Sequence, residues 1–350
     1  MTILYLLLAI LLLGVLITAH EYGHFIAARL TGIAVKEYSV GFGPKLLQWK
    51  SKKHETLFTL RPFPLGGYCM FYGDETDQAN TDDPRAFHKA AVWRRMLTVF
   101  SGPLMNFLLA FLLAVALMAG YGFTVAQPYV DYVEPGMPAV QAGLQAGDVL
   151  LAVNGKAIPL GDAGALSAAI TALPAGEPVT LTVRRGEETF DLTLTPTYDE
   201  QEQRNRIGVG VVAYAPMQTG QMIPAAWNSC VYASTAILDS LGKLVTTGEG
   251  AQDVAGPVGV VQMIAEQTRS GGFEIFLNLA VIISINLGLI NLLPIPGLDG
   301  SRLVFLAIEG IRRRPISRRI ENTVHLVGFA MLLGLMVLFT FKDVGRIIAG

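Results

Sequence analysis

The sequence is short of charge. Lys, Arg, Asp and Glu make up 15% of its 350 residues, against about 25% in soluble domains, so much of the chain is expected in lipid. A strong net charge is also missing. The balance is −2, and no basic stripe with interleaved aromatics runs through the chain, which argues against a nucleic-acid partner. Cysteine is nearly absent, and Cys69 and Cys230 lie far apart. That excludes a disulfide framework and a cysteine-rich metal site. No low-complexity tract and no repeat of solenoid period occurs.

What the sequence does contain is long apolar runs. Segments 2–27, 96–122, 275–296 and 323–341 each meet the need for roughly 20 mainly apolar residues in a helical span. The first is expected to be a retained helix, because no Lys or Arg precedes it and it is too long for a signal-peptide core. Segment 224–245 carries Asp239 and Lys243 and reads as an amphipathic surface helix. The remaining length leaves room for at least one soluble domain.

The basic residues set an expected orientation. Residues 29–95 hold 11 of the 26 Lys and Arg, and 302–319 hold six more. By the positive-inside rule these two loops are cytoplasmic, which puts both termini and the long 123–274 segment outside.

Behind the first apolar run stands HEYGH, residues 20–24. On a helix His20 and His24 are i and i+4, about 5–6 Å apart at Cβ on one face. Both can then reach one zinc at roughly 2.0–2.1 Å. Glu21 can address a water at the same metal as general base. The alternative is a helix with two hydrogen-bonded histidines and a snorkelling glutamate. Ionisable residues inside a membrane are costly and usually functional, which favours zinc. About 18 helical residues at 1.5 Å each put His20 roughly 27 Å into a 30 Å core, in the cytoplasmic leaflet.

A catalytic zinc takes a third protein ligand and keeps one position open. The third span ends NLGLINLLPIPGLDG, residues 286–300. Its Asp299 also follows an outside-to-inside run and is expected at the depth of the histidines. Pro294 and Pro296 break the helix just before it. Backbone freed in this way survives in a membrane only where it lines a cavity or is covered by protein. A turn at the membrane surface is the alternative for the same residues.

HEYGH in a first span, FSGPLMNF (100–107) opening a second and NLLPIPGLDG in a third resemble the site-2 protease family. The similarity is to the bacterial RseP-type intramembrane zinc metalloproteases, over essentially the whole chain. It implies a zinc-dependent intramembrane endopeptidase of the bacterial plasma membrane, with one catalytic Zn2+ held by His20, His24 and Asp299 and with Glu21 activating water. It also implies that Asn286 and Asn291 hold substrate, although inter-helix hydrogen bonding is an equal reading of those amides. The implied substrates are single-pass membrane proteins such as anti-sigma factors, cut in regulated intramembrane proteolysis, or remnant signal peptides. Many relatives read LDGG followed by His. Here Gly300 is followed by Ser301 and Arg302, which puts local helix packing in question and leaves the ligand intact.

Residues 37–73 alternate with period 2 between Gly and Pro breaks, which reads as hairpins. The resemblance implies a β-hairpin that re-enters the membrane beside the metal. Its edge would supply main-chain partners to an unwound substrate, with Gly66 and Gly67 of FPLGGY among the substrate-binding positions. A small cytosolic hairpin is the alternative. GLQAGDVLLAVNG (143–155) resembles PDZ domains, which accept an extended peptide or a C-terminus beside a strand, and a helix is expected at 162–172.

The expected fold is a polytopic α-helical membrane protein of about four transmembrane helices, with a membrane-associated β-hairpin region and an inserted extracytoplasmic α+β PDZ domain. Its parts are a membrane core at 1–122, the PDZ domain at 123–200, an external strand with amphipathic helices at 201–274, and a second membrane core at 275–350. The competing function is a membrane PDZ adaptor with a structural zinc site. That reading calls for a closed four-ligand set, and the sequence offers three ligands.

Overall fold

A computed structural model describes residues 2–52, 55–74, 82–122, 124–159, 164–174, 176–200, 202–216, 220, 222–250 and 255–349. Contacts divide the chain into two units, residues 1–117 with 226–350, and residues 118–225.

The first unit begins with helix α1 (Thr2–Thr31), followed by strands β1 (Val35–Phe42), β2 (Leu47–Lys50), β3 (Leu57–Leu60) and β4 (Phe63–Phe71), then helix α2 (Val92–Tyr121). The second unit carries β5 (Thr124–Val133), α3 (Pro138–Gln141), β6 (Val149–Val153), β7 (Lys156–Ala157), α4 (Gly164–Thr171), β8 (Val179–Arg185), β9 (Glu188–Leu194), β10 (Thr197–Asp199), β11 (Arg204–Arg206) and β12 (Val209–Pro216). Helices α5 (Met222–Thr247), α6 (Pro257–Leu292), α7 (Asp299–Arg312) and α8 (Arg318–Ala349) complete the chain.

Among the described residues, four helices (α1, α2, α6 and α8) are long and apolar enough to cross a membrane. They match the four spans expected from sequence. Ahead of His20, helix α1 is mainly apolar around its circumference and divides its surface by packing. Ala9, Leu12 and Leu16 pack against Ile264, Ala265, Leu279 and Ala280 of α6. Leu4, Leu7, Leu11 and Val15, spaced by three or four residues, stay exposed. In lipid such exposure costs nothing, and helices associate through close fit instead of water exclusion.

Both ends of the third span differ from expectation, and each has a backbone cause. Helix α6 starts at Pro257, well before residue 275, and is interrupted at Gly272, whose φ of 70° and ψ of −161° are not helical. Only glycine adopts such angles cheaply. Its other end stops at Leu292 because Pro294 pushes Leu293 out of the helical region, to φ −65° and ψ 143°. Helix α8 is fastened by one buried carboxylate. Asp343 accepts hydrogen bonds from the backbone N–H groups of Gly256 (3.1 Å) and Gly259 (2.7 Å) at the start of α6, a favourable place for negative charge.

The strands of the first unit form one mixed sheet in the order β2-β3-β1-β4, which corrects the expectation of simple hairpins. Only β2 and β3 pair as a hairpin; β1 lies between β3, to which it is parallel, and β4, to which it is antiparallel. The reason is burial. Strand β1 carries the buried Val35, Tyr38 and Ser39, whereas every residue of β2 is exposed, so β1 takes an interior position and β2 an edge.

In the second unit the sheet runs β12-β5-β6-β8-β9, with β7 on β6. Leu166 and Ile170 of α4 pack into a core with Val130, Leu150, Leu181 and Val183. Helix α4 is the one expected at 162–172, whose first two residues lie outside the described residues. The buried Asp148 carboxylate accepts from Arg185 Nε at 2.7 Å and Nη2 at 2.8 Å, and this raises the guanidinium above its ordinary range.

Candidate functional site

The site is built where α1 meets α2. Gly23, inside HEYGH, lets the helices touch: a Cβ there would stand 2.2 Å from the Ser101 carbonyl oxygen. Ser101 Oγ also donates to the Gly23 carbonyl at 2.9 Å. This approach fixes the outlook of the two histidines. His20 and His24 are buried, their rings meet edge to face at 4.8 Å, and their Nε2 atoms lie 3.2 Å apart.

The third member arrives from the proline-broken segment. Gly297 takes φ 98°, and Asp299 then opens α7. Gly300 lets that first turn lie on the end of α6, since a Cβ would stand 2.2–2.3 Å from the Leu293 and Leu292 carbonyl oxygens. Asp299 Oδ2 thereby lies 3.0 Å from His20 Nε2 and 3.3 Å from His24 Nε2. Within the described residues, His20, His24 and Asp299 are the group of metal-ligating side chains that converge.

These donors fit a zinc ion. Bonds of roughly 2.0–2.1 Å at tetrahedral angles require ligand atoms about 3.3 Å apart, and the three separations are 3.0, 3.2 and 3.3 Å. Two nitrogens and one carboxylate oxygen are a hydrolytic zinc set, with a fourth position left for water or substrate. Gly102 of α2 leaves the space clear: a Cβ there would stand 2.3 Å from His24 Nε2 and 2.9 Å from His20 Nε2.

Glu21 sits between this cluster and the sheet. Its carboxylate accepts a hydrogen bond from the Cys69 backbone N–H of β4. The Cβ position at Gly67 is 3.4 Å from Glu21 Cγ. Gly66 is needed for a different reason. Its φ is 157°, and the Phe42 ring fills the space a side chain would take, 1.8 Å from where a Cβ would stand. Burial pushes the Cys69 thiol well above its ordinary range, and the Glu21 and Asp74 carboxylates add to the rise. Nearby Glu37 goes the other way. Burial alone would raise it, but hydrogen bonds from Thr59 (2.8 Å) and Arg61 (3.1 Å) hold it below the usual carboxylate range.

His20, Glu21, His24, Cys69 and Asp299 line a cavity of about 550 Å³. The two asparagines separate. Asn291 lines this cavity, while Asn286 lines a different one of about 740 Å³ against Ser240, Lys243 and Leu244 of α5. Five residues on a helix turn a side chain by about 140°, so both cannot face the same space. Ser301 and Arg302 pack well despite departing from the expected pattern. Ser301 Oγ donates to the Leu298 carbonyl at 2.8 Å. Arg302 donates to Asp74 at 2.6 Å and lies over the Phe87 ring.

Sequence reasoning missed the residues behind the ligands. His24 Nδ1 donates to the Thr98 carbonyl at 2.9 Å, and Asn106 Nδ2 lies 3.2 Å from His20 Nδ1. Thr98, Gly102 and Asn106 are i, i+4 and i+8 on α2, a spacing that places them on one face. His325 of α8 is a further cavity residue, its Nδ1 accepting from the Gly297 N–H at 3.3 Å.

Membrane-spanning helices around an HExxH metal cluster define a class, the membrane metalloproteases. The chain belongs to Peptidase family M50, whose profile it matches over residues 8–335. A protein of Nostoc sp. named "putative zinc metalloprotease" is 36% identical, with 96% of this chain and 94% of the relative covered. Proteins of the same name in Rhizobium meliloti and Clostridium acetobutylicum are 34% and 33% identical, covering 95% and 96% of this chain and 94% and 96% of their own. Among solved structures, the PDZ domain of an SdrC-like protein from Listeria monocytogenes is 22% identical. It covers 26% of this chain and 92% of that domain, at a TM-score of 0.23.

Proposed function

We propose that this metalloprotease is a zinc-dependent endopeptidase that cuts single-pass membrane proteins or remnant signal peptides within or beside their membrane span. The observation that carries the reading is the convergence of His20, His24 and Asp299 beside Glu21, inside helices long enough to span a bilayer.

His20, His24 and Asp299 would hold the ion. Zinc, when bound, supplies the Lewis acidity that polarises a carbonyl and makes water acidic enough to attack. Glu21, beside these three side chains, is placed to accept a proton from an attacking water and to deliver it to the leaving amine. Asn291 faces the same cavity and can donate a hydrogen bond to the bound chain. Strand β4 is an edge of its sheet, and its Cys69 amide already points at Glu21. A substrate segment unwound from helix can pair with such an edge and present its peptide bonds in extended form. Three protein ligands leave a position open, which suits catalysis and not a structural adaptor site.

In the second unit, a groove of about 250 Å³ runs between α4 and the edge strand β12, lined by Leu166, Ile170, Val209 and Val211. This groove is proposed to take a peptide or C-terminus by strand addition. The Lys- and Arg-rich loops support a reading in which the metal lies in the cytoplasmic leaflet and this unit lies outside the cell.

The test is Glu21→Gln in purified, reconstituted protein. Zinc content should match wild type while cleavage of a model single-span substrate is lost. Full cleavage by the variant would overturn the assignment.

A further inference from the structure

The two histidine ligands differ in what stands behind them. A neutral imidazole carries one proton on two nitrogens, so a nitrogen that binds metal needs the proton on the other. For His24 this is settled by the backbone. Its Nδ1 faces the Thr98 carbonyl at 2.9 Å, and a carbonyl can only accept. Nδ1 therefore holds the proton, and Nε2 presents a lone pair toward Asp299.

His20 has no carbonyl behind it. Its Nδ1 faces the carboxamide of Asn106, a residue with no exposed surface in the middle of α2. The amide nitrogen lies 3.2 Å from Nδ1, while the amide oxygen is buried without a hydrogen-bond partner. That pairing serves the tautomer with its proton on Nε2, which donates to Asp299 Oδ2 at 3.0 Å. It is the wrong tautomer for ligation. A half-turn of the carboxamide about its Cβ–Cγ bond exchanges the two ends, which are nearly equal in size. The oxygen then accepts from Nδ1–H, and Nε2 is free to bind.

We propose that Asn106 is the positioning residue that selects the metal-binding tautomer of His20, its side-chain oxygen accepting the Nδ1 proton. The backbone commits His24, whereas His20 depends on one side chain, so zinc affinity is set at Asn106. Two neighbours hold the residue in place. Ser284 of α6 donates to its backbone carbonyl at 2.8 Å, and Gly102, one turn before it, brings α2 against both rings. Outer-shell partners of ligating histidines typically contribute about 10–100-fold in metal affinity.

The inference rests on the proposed zinc site, and its experiment separates the two. Zinc affinity is measured by chelator competition on the purified full-length chain, for wild type, Asn106→Leu and Asn106→Asp. Leu matches the shape but cannot accept, whereas Asp keeps an acceptor in the same place. Asn106→Leu should bind zinc about 10–100-fold more weakly, and Asn106→Asp should stay within about threefold of wild type. In spectra of protein labelled with 15N-histidine and loaded with excess zinc, the Leu variant should also lose the hydrogen-bonded Nδ1–H signal assigned to His20. A purely structural asparagine would make Leu the milder substitution and Asp, a buried charge, the harsher one; that order overturns the proposal. Equal zinc affinity in wild type and the Leu variant overturns it as well. A wild-type chain that takes up no zinc would sink the zinc site, and this inference with it.

Discussion

Gly102 and His24 are placed so that the glycine's missing side chain is the room the imidazole ring occupies. A Cβ at residue 102 would lie 2.3 Å from His24 Nε2, inside any permitted contact. Gly102→Ala should therefore displace the ring and not the helices. Overpacking of this kind costs about 1–3 kcal/mol, or roughly 10–100-fold in affinity. Zinc titration of the Gly102→Ala protein should show that loss with helical content unchanged. Binding as tight as wild type would mean the ions sit elsewhere.

Asp299→Ala removes one member of the proposed ligand set and leaves both histidines. Zinc affinity should fall by more than the roughly 10–100-fold that loss of an outer-shell partner costs. The readout is metal stoichiometry after dialysis against a weak chelator. Zinc content equal to wild type would remove Asp299 from the ligand set.

The asparagines of α6 should behave differently, because Asn291 faces the metal cavity and Asn286 faces α5. Asn291→Ala should lower kcat/KM by about tenfold, the size of one hydrogen bond to bound substrate, with zinc content unchanged. Asn286→Ala should change it by no more than about threefold. Equal losses at both positions would show that substrate spans both cavities.

The three side chains that converge were legible in the sequence because each lies inside a local pattern. HEYGH has a spacing that works on any helix, and the Asp299 segment announces its break through Pro294 and Pro296. The sheet was only partly legible. Period-2 alternation marks strands, but a parallel β1–β3 pair depends on which strand is buried, and that is decided by contacts with α1. Asn106 was illegible for a similar reason. Its motif was visible, yet its role depends on which face of α2 meets α1, and in a helix that is apolar on all sides no periodicity reveals that face. The stripe of Thr98, Gly102 and Asn106 was the available signal, since a glycine at the centre of a span marks a close approach.

Arg302 and Asp74 tie helix α7 to the segment that follows β4. Arg302 lies one turn after Asp299, and its partner stands three residues past the end of β4, whose edge lies beside Glu21. The Asp74 side chain is only 6% exposed and the pair is 2.6 Å apart. Removing one partner of a largely buried ion pair is destabilising, while replacing both can be nearly neutral. Arg302→Leu alone should therefore lower the unfolding free energy in detergent by about 1.5–3 kcal/mol, the size of a hydrogen bond to a charged group. Adding Asp74→Leu should recover much of that loss, which a double-mutant cycle would read as strong coupling. The catalytic consequence should not recover. Without the tie, β4 and Asp299 are no longer held in register, so the double variant should fold and bind zinc yet cut a model substrate more slowly than wild type. Additive losses in stability, or full activity in the double variant, would show that the pair is a surface ornament and that other contacts align the strand with the metal.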